Sequence, residues 1–363
     1  MKPVHNTSFM VGPTAISAEV YDDLASLRSH RIVEISHRSQ ECTDLIEGAV
    51  KEIREFFKVP ESYTVLFAGS ATDIWDVITN NLIKEKSFHF CNGNFSEAFY
   101  RCAKSWKGET LKNTVEWGEL NDYSVDIPDD MELIALAYNE TSSCVSCRAD
   151  DIYKLRTAHP KKLLAVDITS IAGVASFDIE NADIWYLSVQ KGLGLPSGLG
   201  VMILSPAAVK KAEQMKKDRE CVGCFQIHDL KEIMDEKFQT VQTPNILNIY
   251  LLKQQLTRWN HNGGIATIEK RMRERATKIY AFFENHPLYT PFVKDKSHRS
   301  FATICITGTE KNIAVAHEKT EAKGIKLGTG YSKLKPTTFR LANYPALNWV
   351  DFEELFEILS ENS

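Results

Sequence analysis

The sequence predicts an α/β fold: a large, mainly parallel sheet domain followed by a smaller α+β domain. Three observations lead there. Short apolar runs alternate with helical patterns through the first two thirds of the chain, as strands joined by crossover helices require. Several of those runs are apolar at every position, the mark of strands covered on both faces. The chain has 363 residues, too many for one simple core, so two domains are expected. They are placed at residues 1–255, including the N-terminal segment, and at residues 256–363, with the boundary inside a long helix.

The elements follow in order. Apolar residues at helical spacing from Ser39 to Phe57 predict an amphipathic helix that stops near Val59-Pro60. Thr64-Val-Leu-Phe67 reads as a short strand, Gly69-Ser70-Ala71-Thr72 as a small-residue turn, and the stretch from Asp73 as a helix. Leu133–Ala137, Lys162–Val166, Ile184–Ser188 and Gly200–Leu204 read as further buried strands. A long helical stretch from Ile246 to His286 is interrupted near Asn262-Gly-Gly264. The smaller domain then offers a strand at Phe301–Ile306, a helix at Lys311–Lys323, a strand at Phe339–Ala342 and a last helix at Asp351–Leu359.

Composition narrows the partners. The net charge of -5 argues against nucleic acid and anionic membranes. No apolar run approaches the roughly 18 residues a membrane helix needs. The first residues, MKPVHNTSFMVGPTAIS, contain no apolar core of a signal peptide. The eight scattered cysteines are then expected to be reduced, in a cytoplasmic protein. Cys144/Cys147 and Cys221/Cys224 form two CxxC pairs, but the gap between them is far longer than a zinc ribbon uses. They are read as buried or partly buried free thiols, and no metal is expected.

Four features converge on one chemistry. Lys191 follows a buried strand and precedes the small-residue loop Gly192-Leu-Gly-Leu-Pro-Ser-Gly198. An amine in an apolar setting loses its proton more readily and becomes a nucleophile suited to Schiff-base formation. Asp167 stands at a strand end, where a carboxylate can keep the ring nitrogen of a pyridine cofactor protonated. One crossover unit separates it from Lys191, which can bring both to the same sheet edge. The turn at Ser70-Ala71-Thr72 offers backbone N–H groups at a helix N-terminus, a phosphate site. Arg340 supplies a fork for a substrate carboxylate. Taken singly, each has a plainer reading: a loop lysine, a helix cap, a turn, a surface ion pair. Together they specify a pyridoxal-phosphate site.

The motifs resemble the class V members of the fold-type I pyridoxal-phosphate enzymes, and within them the phosphoserine aminotransferase family. The resemblance runs through Phe9–Pro13, Glu34-Ile-Ser-His-Arg-Ser39, Asn139-Glu-Thr141, Val166-Asp167, Gln190-Lys191, Gln242-Thr-Pro244 and Phe339-Arg340. It implies pyridoxal 5′-phosphate as cofactor, Lys191 as the Schiff-base lysine and Asp167 as the pyridinium partner. Gln190, Ser70, Ala71 and Thr72 would hold the phosphate, with Thr243 reaching it from a neighbouring subunit. A homodimer with shared active sites follows. Thr141 would lie beside the ring, and Phe95 would stack on it where the family usually has tryptophan. His37 and Arg38 would bind the substrate phosphate, and Arg340 its carboxylate. The substrates implied are an amino acid and a 2-oxo acid, O-phosphoserine and 2-oxoglutarate, in serine biosynthesis. One departure stands out. The family's second His-Arg pair is missing from Gly328–Phe339, where the chain instead resembles alanine–glyoxylate and serine–pyruvate aminotransferases. Lys333 or Lys335 is the available replacement cation.

Overall fold

The structure, a computed structural model, describes residues 6–106 and 108–361. In chain order the first strands are β1 (Thr7–Phe9), β2 (Thr64–Ala68), β3 (Lys86–Cys91), β4 (Glu109–Thr114), β5 (Leu133–Ala137), β6 (Asn139–Glu140) and β7 (Val145–Ser146). They continue with β8 (Leu163–Asp167), β9 (Ile184–Ser188), β10 (Gly200–Leu204), β11 (Thr290–Pro291), β12 (Thr303–Thr307), β13 (Ile325–Thr329) and β14 (Thr338–Ala342). The earlier helices are α1 (Ala18–His30), α2 (Gln40–Phe57), α3 (Ala71–Leu82), α4 (Asn94–Trp106), α5 (Ala149–Ala158) and α6 (Pro206–Lys217). The later ones are α7 (Ile227–Lys237), α8 (Ile246–His261), α9 (Gly264–Glu284), α10 (Glu310–Ala322) and α11 (Trp349–Ser360).

The large sheet runs β2-β10-β9-β8-β5-β3-β4. Pairing is parallel from β9 through β8, β5 and β3 to β4, and antiparallel only where β10 meets β9 and β2. Strands β5, β9 and β10 are buried along their whole length. Each Leu or Ile so covered contributes roughly 1.5–3 kcal/mol of hydrophobic stabilisation. Because β10 inverts direction twice, β2 points the same way as β9. The C-terminal ends of β2, β3, β5, β8 and β9 therefore meet at one sheet edge, the edge where open α/β sheets place ligands.

The second sheet runs β1-β13-β14-β12-β11. Its β1 corrects an expectation, because the N-terminal segment does not stay with the large sheet: Thr7, Ser8 and Phe9 pair in parallel with Ile325, Lys326 and Leu327. Phe9 is fully buried against Phe352 of α11, so this apolar contact draws the chain start into the C-terminal layer. The long helical stretch breaks where its Asn-Gly-Gly run suggests. Gly263 caps α9 at φ +92, a conformation glycine adopts without steric cost. Residue 255 falls inside α8.

Several expected starts shift by one or two residues. Helix α3 begins at Ala71 rather than Asp73, because the Ser70 hydroxyl accepts from Asp73 N at 3.1 Å and caps it. Strand β12 begins at Thr303 rather than Phe301. Among the cysteines, Cys224 is exposed, Cys102 half-buried and the other six buried.

Candidate active site

Each loop leaving the shared edge of the large sheet delivers a side chain. Ala71 and Thr72 follow β2, Phe95 opens α4 after β3, and Asn139 and Thr141 follow β5. Asp167 ends β8, and Gln190 and Lys191 follow β9. These residues line one cavity of about 220 Å³ together with Gly12, Pro13, Trp75, Thr169 and Ser188.

Lys191 is only 8% exposed. Its Nζ donates to the Thr141 hydroxyl at 2.8 Å and sits 4.7 Å from the centre of the Phe95 ring. Burial lowers its pKa from 10.5 to about 8, although the nearby carboxylates of Asp167 and Glu140 pull the other way. A usable fraction of neutral amine therefore exists at physiological pH. Burial also raises the Asp167 carboxyl, against the hydroxyl of Thr169, the Thr169 N–H, which donates to Oδ1 at 2.8 Å, and the charge of Lys191.

Arg340 crosses from β14 of the second sheet to the same place. Its Nε donates to the Thr329 carbonyl at 2.9 Å and its Nη1 to the Thr141 carbonyl at 2.8 Å. Thr141 thus joins the amine of Lys191, through its hydroxyl, to the fork of Arg340, through its carbonyl. The Tyr331 ring lies 5.4 Å from the Arg340 guanidinium carbon and 5.6 Å from the Phe95 ring.

Seven of the residues read from the sequence therefore share the cavity: Ala71, Thr72, Phe95, Thr141, Asp167, Gln190 and Lys191. Ser70 stands one position back as the cap of α3. The Asp73 carboxylate turns away from this cavity and lies over Gly69, where an added Cβ would come within 2.4 Å of its Oδ2. Thr243 does not reach the Lys191 cavity within its own chain. It lines a separate, larger one of about 610 Å³ with Gly69, Asp73, Gly198 and Gln242. His37 is half-buried on the segment between α1 and α2. Arg38 is bound elsewhere in its own chain, with Nη1 donating to Gln239 Oε1 at 2.8 Å and to the Thr240 carbonyl at 3.0 Å, and Nη2 to the Val241 carbonyl at 3.3 Å. Lys333 lies 5.5 Å from the Trp117 ring centre and 3.5 Å from Glu116.

The sequence did not single out Ser188, whose hydroxyl accepts from Ala71 N at 2.6 Å and pins the small-residue turn to β9. Its signal was available: it is the last residue of the strand leading to Lys191. Trp117 and Tyr331 carried no local signal, because their roles depend on loops from different sheets meeting.

The arrangement defines an enzyme whose buried, readily deprotonated amine shares a cavity with a carboxylate at a parallel sheet edge. More narrowly, the chain belongs to the class V aminotransferases: the family model for Aminotransferase class-V matches residues 9–347. A phosphoserine aminotransferase of Nocardioides sp. is 31% identical over 354 residues, covering 96% of this chain and 92% of that protein. A putative phosphoserine aminotransferase of Mycobacterium leprae is 31% identical over 363 residues, with the same coverage. The crystal structure of a phosphoserine aminotransferase from Cytophaga hutchinsonii superposes with a TM-score of 0.94 at 30% identity, covering 99% of both chains.

Aminotransferases of this class work with pyridoxal 5′-phosphate, and the cavity fits it. Gln190 Oε1 and Asn139 Oδ1 are buried polar atoms without partners, and both residues line the cavity. Such atoms cost stability unless a ligand or water satisfies them. Asp167 could meet the ring nitrogen, Phe95 a ring face, and the Ala71-Thr72 turn a phosphate.

Proposed function

We propose that this chain is a phosphoserine aminotransferase, transferring the amino group of O-phosphoserine to 2-oxoglutarate in the cytoplasm. The observation that carries the reaction type is the buried Lys191 amine, bonded to the same threonine that holds Arg340. The phosphorylated donor is carried over from the relatives of like name, together with the His37-Arg38 motif. Pyridoxal phosphate, when bound, supplies an electron sink that acidifies the substrate α-carbon. Asp167, at the end of β8, would keep the ring nitrogen protonated. Lys191 Nζ, bonded to Thr141 in the cavity, would take the proton from the substrate α-carbon as a general base. The Arg340 fork orients the substrate carboxylate. Ser70, Ala71, Thr72 and Gln190 hold the cofactor phosphate, joined by Thr243 of a second copy in a homodimer.

A second reading has support of its own. Residues 328–339 carry no His-Arg pair, and the Arg38 guanidinium is occupied by carbonyl groups of its own chain. Both observations favour a donor without a phosphate, as in alanine–glyoxylate aminotransferases. A donor panel of O-phosphoserine, serine and alanine tests the two, read by the absorbance of the bound cofactor. Turnover of O-phosphoserine well above that of alanine is expected, and the reverse order would select the second reading. Lys191→Ala should abolish transamination with every donor, and retained activity would remove the reaction type itself.

A further inference from the structure

We propose that Glu140 is a positioning residue for transamination: its buried carboxylate fixes Phe95 and Thr141 together, and through them the Lys191 amine and the Arg340 fork. The inference rests on the reading of Lys191 as the reacting amine.

Glu140 is fully buried, at the end of β6. A buried carboxylate without compensation is costly, so its partners reveal its task. Oε2 accepts from Ser96 N and from the Ser96 hydroxyl, both at 2.9 Å. Oε1 accepts from the Ser142 hydroxyl at 2.7 Å, from Ser142 N at 3.0 Å and from Phe95 N at 3.4 Å. The Ser142 hydroxyl in turn accepts from Asn94 N at 2.8 Å. Three of these donors are backbone N–H groups of the first turn of α4, which intrahelical bonds leave unsatisfied. A negative charge is also favoured at that helix end.

One group therefore ties two loops. The first turn of α4 carries Phe95, whose ring faces Lys191 Nζ. The turn after Glu140 carries Thr141, which bonds both Lys191 and Arg340. The packing leaves no slack, since a Cβ on Gly93 would lie 2.4 Å from both Glu140 Cγ and Ser142 Oγ. The carboxylate also favours the charged form of Lys191. Glu140 touches neither the amine nor the fork by hydrogen bond. It acts through residues that do.

Two variants and two readouts test this. In Glu140→Gln the amide NH2 faces N–H donors, so kcat should fall on the order of tenfold with KM changed less, because small misplacements of reacting groups are costly. In cofactor-free protein, the pH midpoint of Lys191 modification by an amine-reactive reagent, followed by peptide mass mapping, should move down. In Ser142→Ala the charge stays while the link to Asn94 N is lost, so kcat should fall and the midpoint should hold. If Glu140→Gln lowers only thermal stability and leaves kcat and midpoint at wild-type values, the residue is packing alone and the proposal is overturned. Should Glu140→Gln not fold, unchanged kcat in Ser142→Ala overturns it. Lys191→Ala is the separate control: if that variant transaminates, the reading of Lys191 fails whatever Glu140 does.

Discussion

Lys191 is buried and Asp167 half-buried in one cavity, and for each group desolvation outweighs the charge of the other. With a pKa of about 8, lowered by burial, the Lys191 amine is half neutral near pH 8, whereas an exposed lysine is neutral only above its usual 10.5. The rate of Lys191 modification in cofactor-free protein should therefore rise through pH 8. A midpoint near 10.5 would contradict the burial. Between those two values the folded protein holds fewer protons at this site than the unfolded chain does. Stability from this group thus increases as pH climbs through that window. Asp167→Asn keeps the shape of the carboxylate but cannot hold a ring proton by charge. Its kcat should drop on the order of 100-fold or more while cofactor is still bound, as for loss of a proton-managing group. Arg38 is the residue where two roles compete. If it reaches substrate, Arg38→Ala raises KM for O-phosphoserine roughly tenfold or more and leaves alanine unaffected, because charge-assisted bonds carry about 1.5–3 kcal/mol. Equal losses for both donors would mark it as the anchor of residues 239–241 only.

Among the elements, the phosphate turn shows how tightly the sheet edge is built. Gly200 of β10 lies under Ser70: an added Cβ would stand 2.8 Å from both the Ser70 carbonyl carbon and its oxygen. Backbone cannot yield as a flexible side chain can. Gly200→Ala should cost about 1–3 kcal/mol and displace the turn, measured as a lower Tm together with weaker binding in a pyridoxal-phosphate titration. The legible elements were those with one dominant period. Strands β5, β9 and β10 are buried throughout and almost wholly apolar, and α2 has a single apolar stripe with Ser39 at its cap. Strand β3 was hidden because Ser87 and His89 interrupt its phenylalanines; both are buried there, bonded to each other at 3.1 Å. Strand β4 is largely exposed and polar, and β1 is three residues long. The site was legible where chemistry sits in one short string, as at Gln190-Lys191. It was not where loops of two sheets meet, as at Tyr331 and Trp117.

At the scale of the whole molecule, the active site lies between the two sheets: the amine comes from the large one and the fork from the small one. The other cavity, lined by Thr243, is bordered by Trp106, Val222 and Phe225, which are 48%, 64% and 45% exposed. A second copy covering this face would bury them. Sedimentation should give a dimer, and Phe225→Asp should weaken it and lower cofactor affinity at the same protein concentration. An active monomer would exclude Thr243 from any shared site. The first strand has a consequence for the order in which the protein is made. On a ribosome, Thr7–Phe9 emerges long before its partner Ile325–Leu327. Gly12 and Pro13, which follow that strand and line the Lys191 cavity, stay unanchored from that side until then. Pairings so distant in sequence form late. A nascent chain can bury its large sheet early, but the wall that closes around the amine waits for Ile325–Leu327, so cofactor capture by a chain that lacks this segment should be weak.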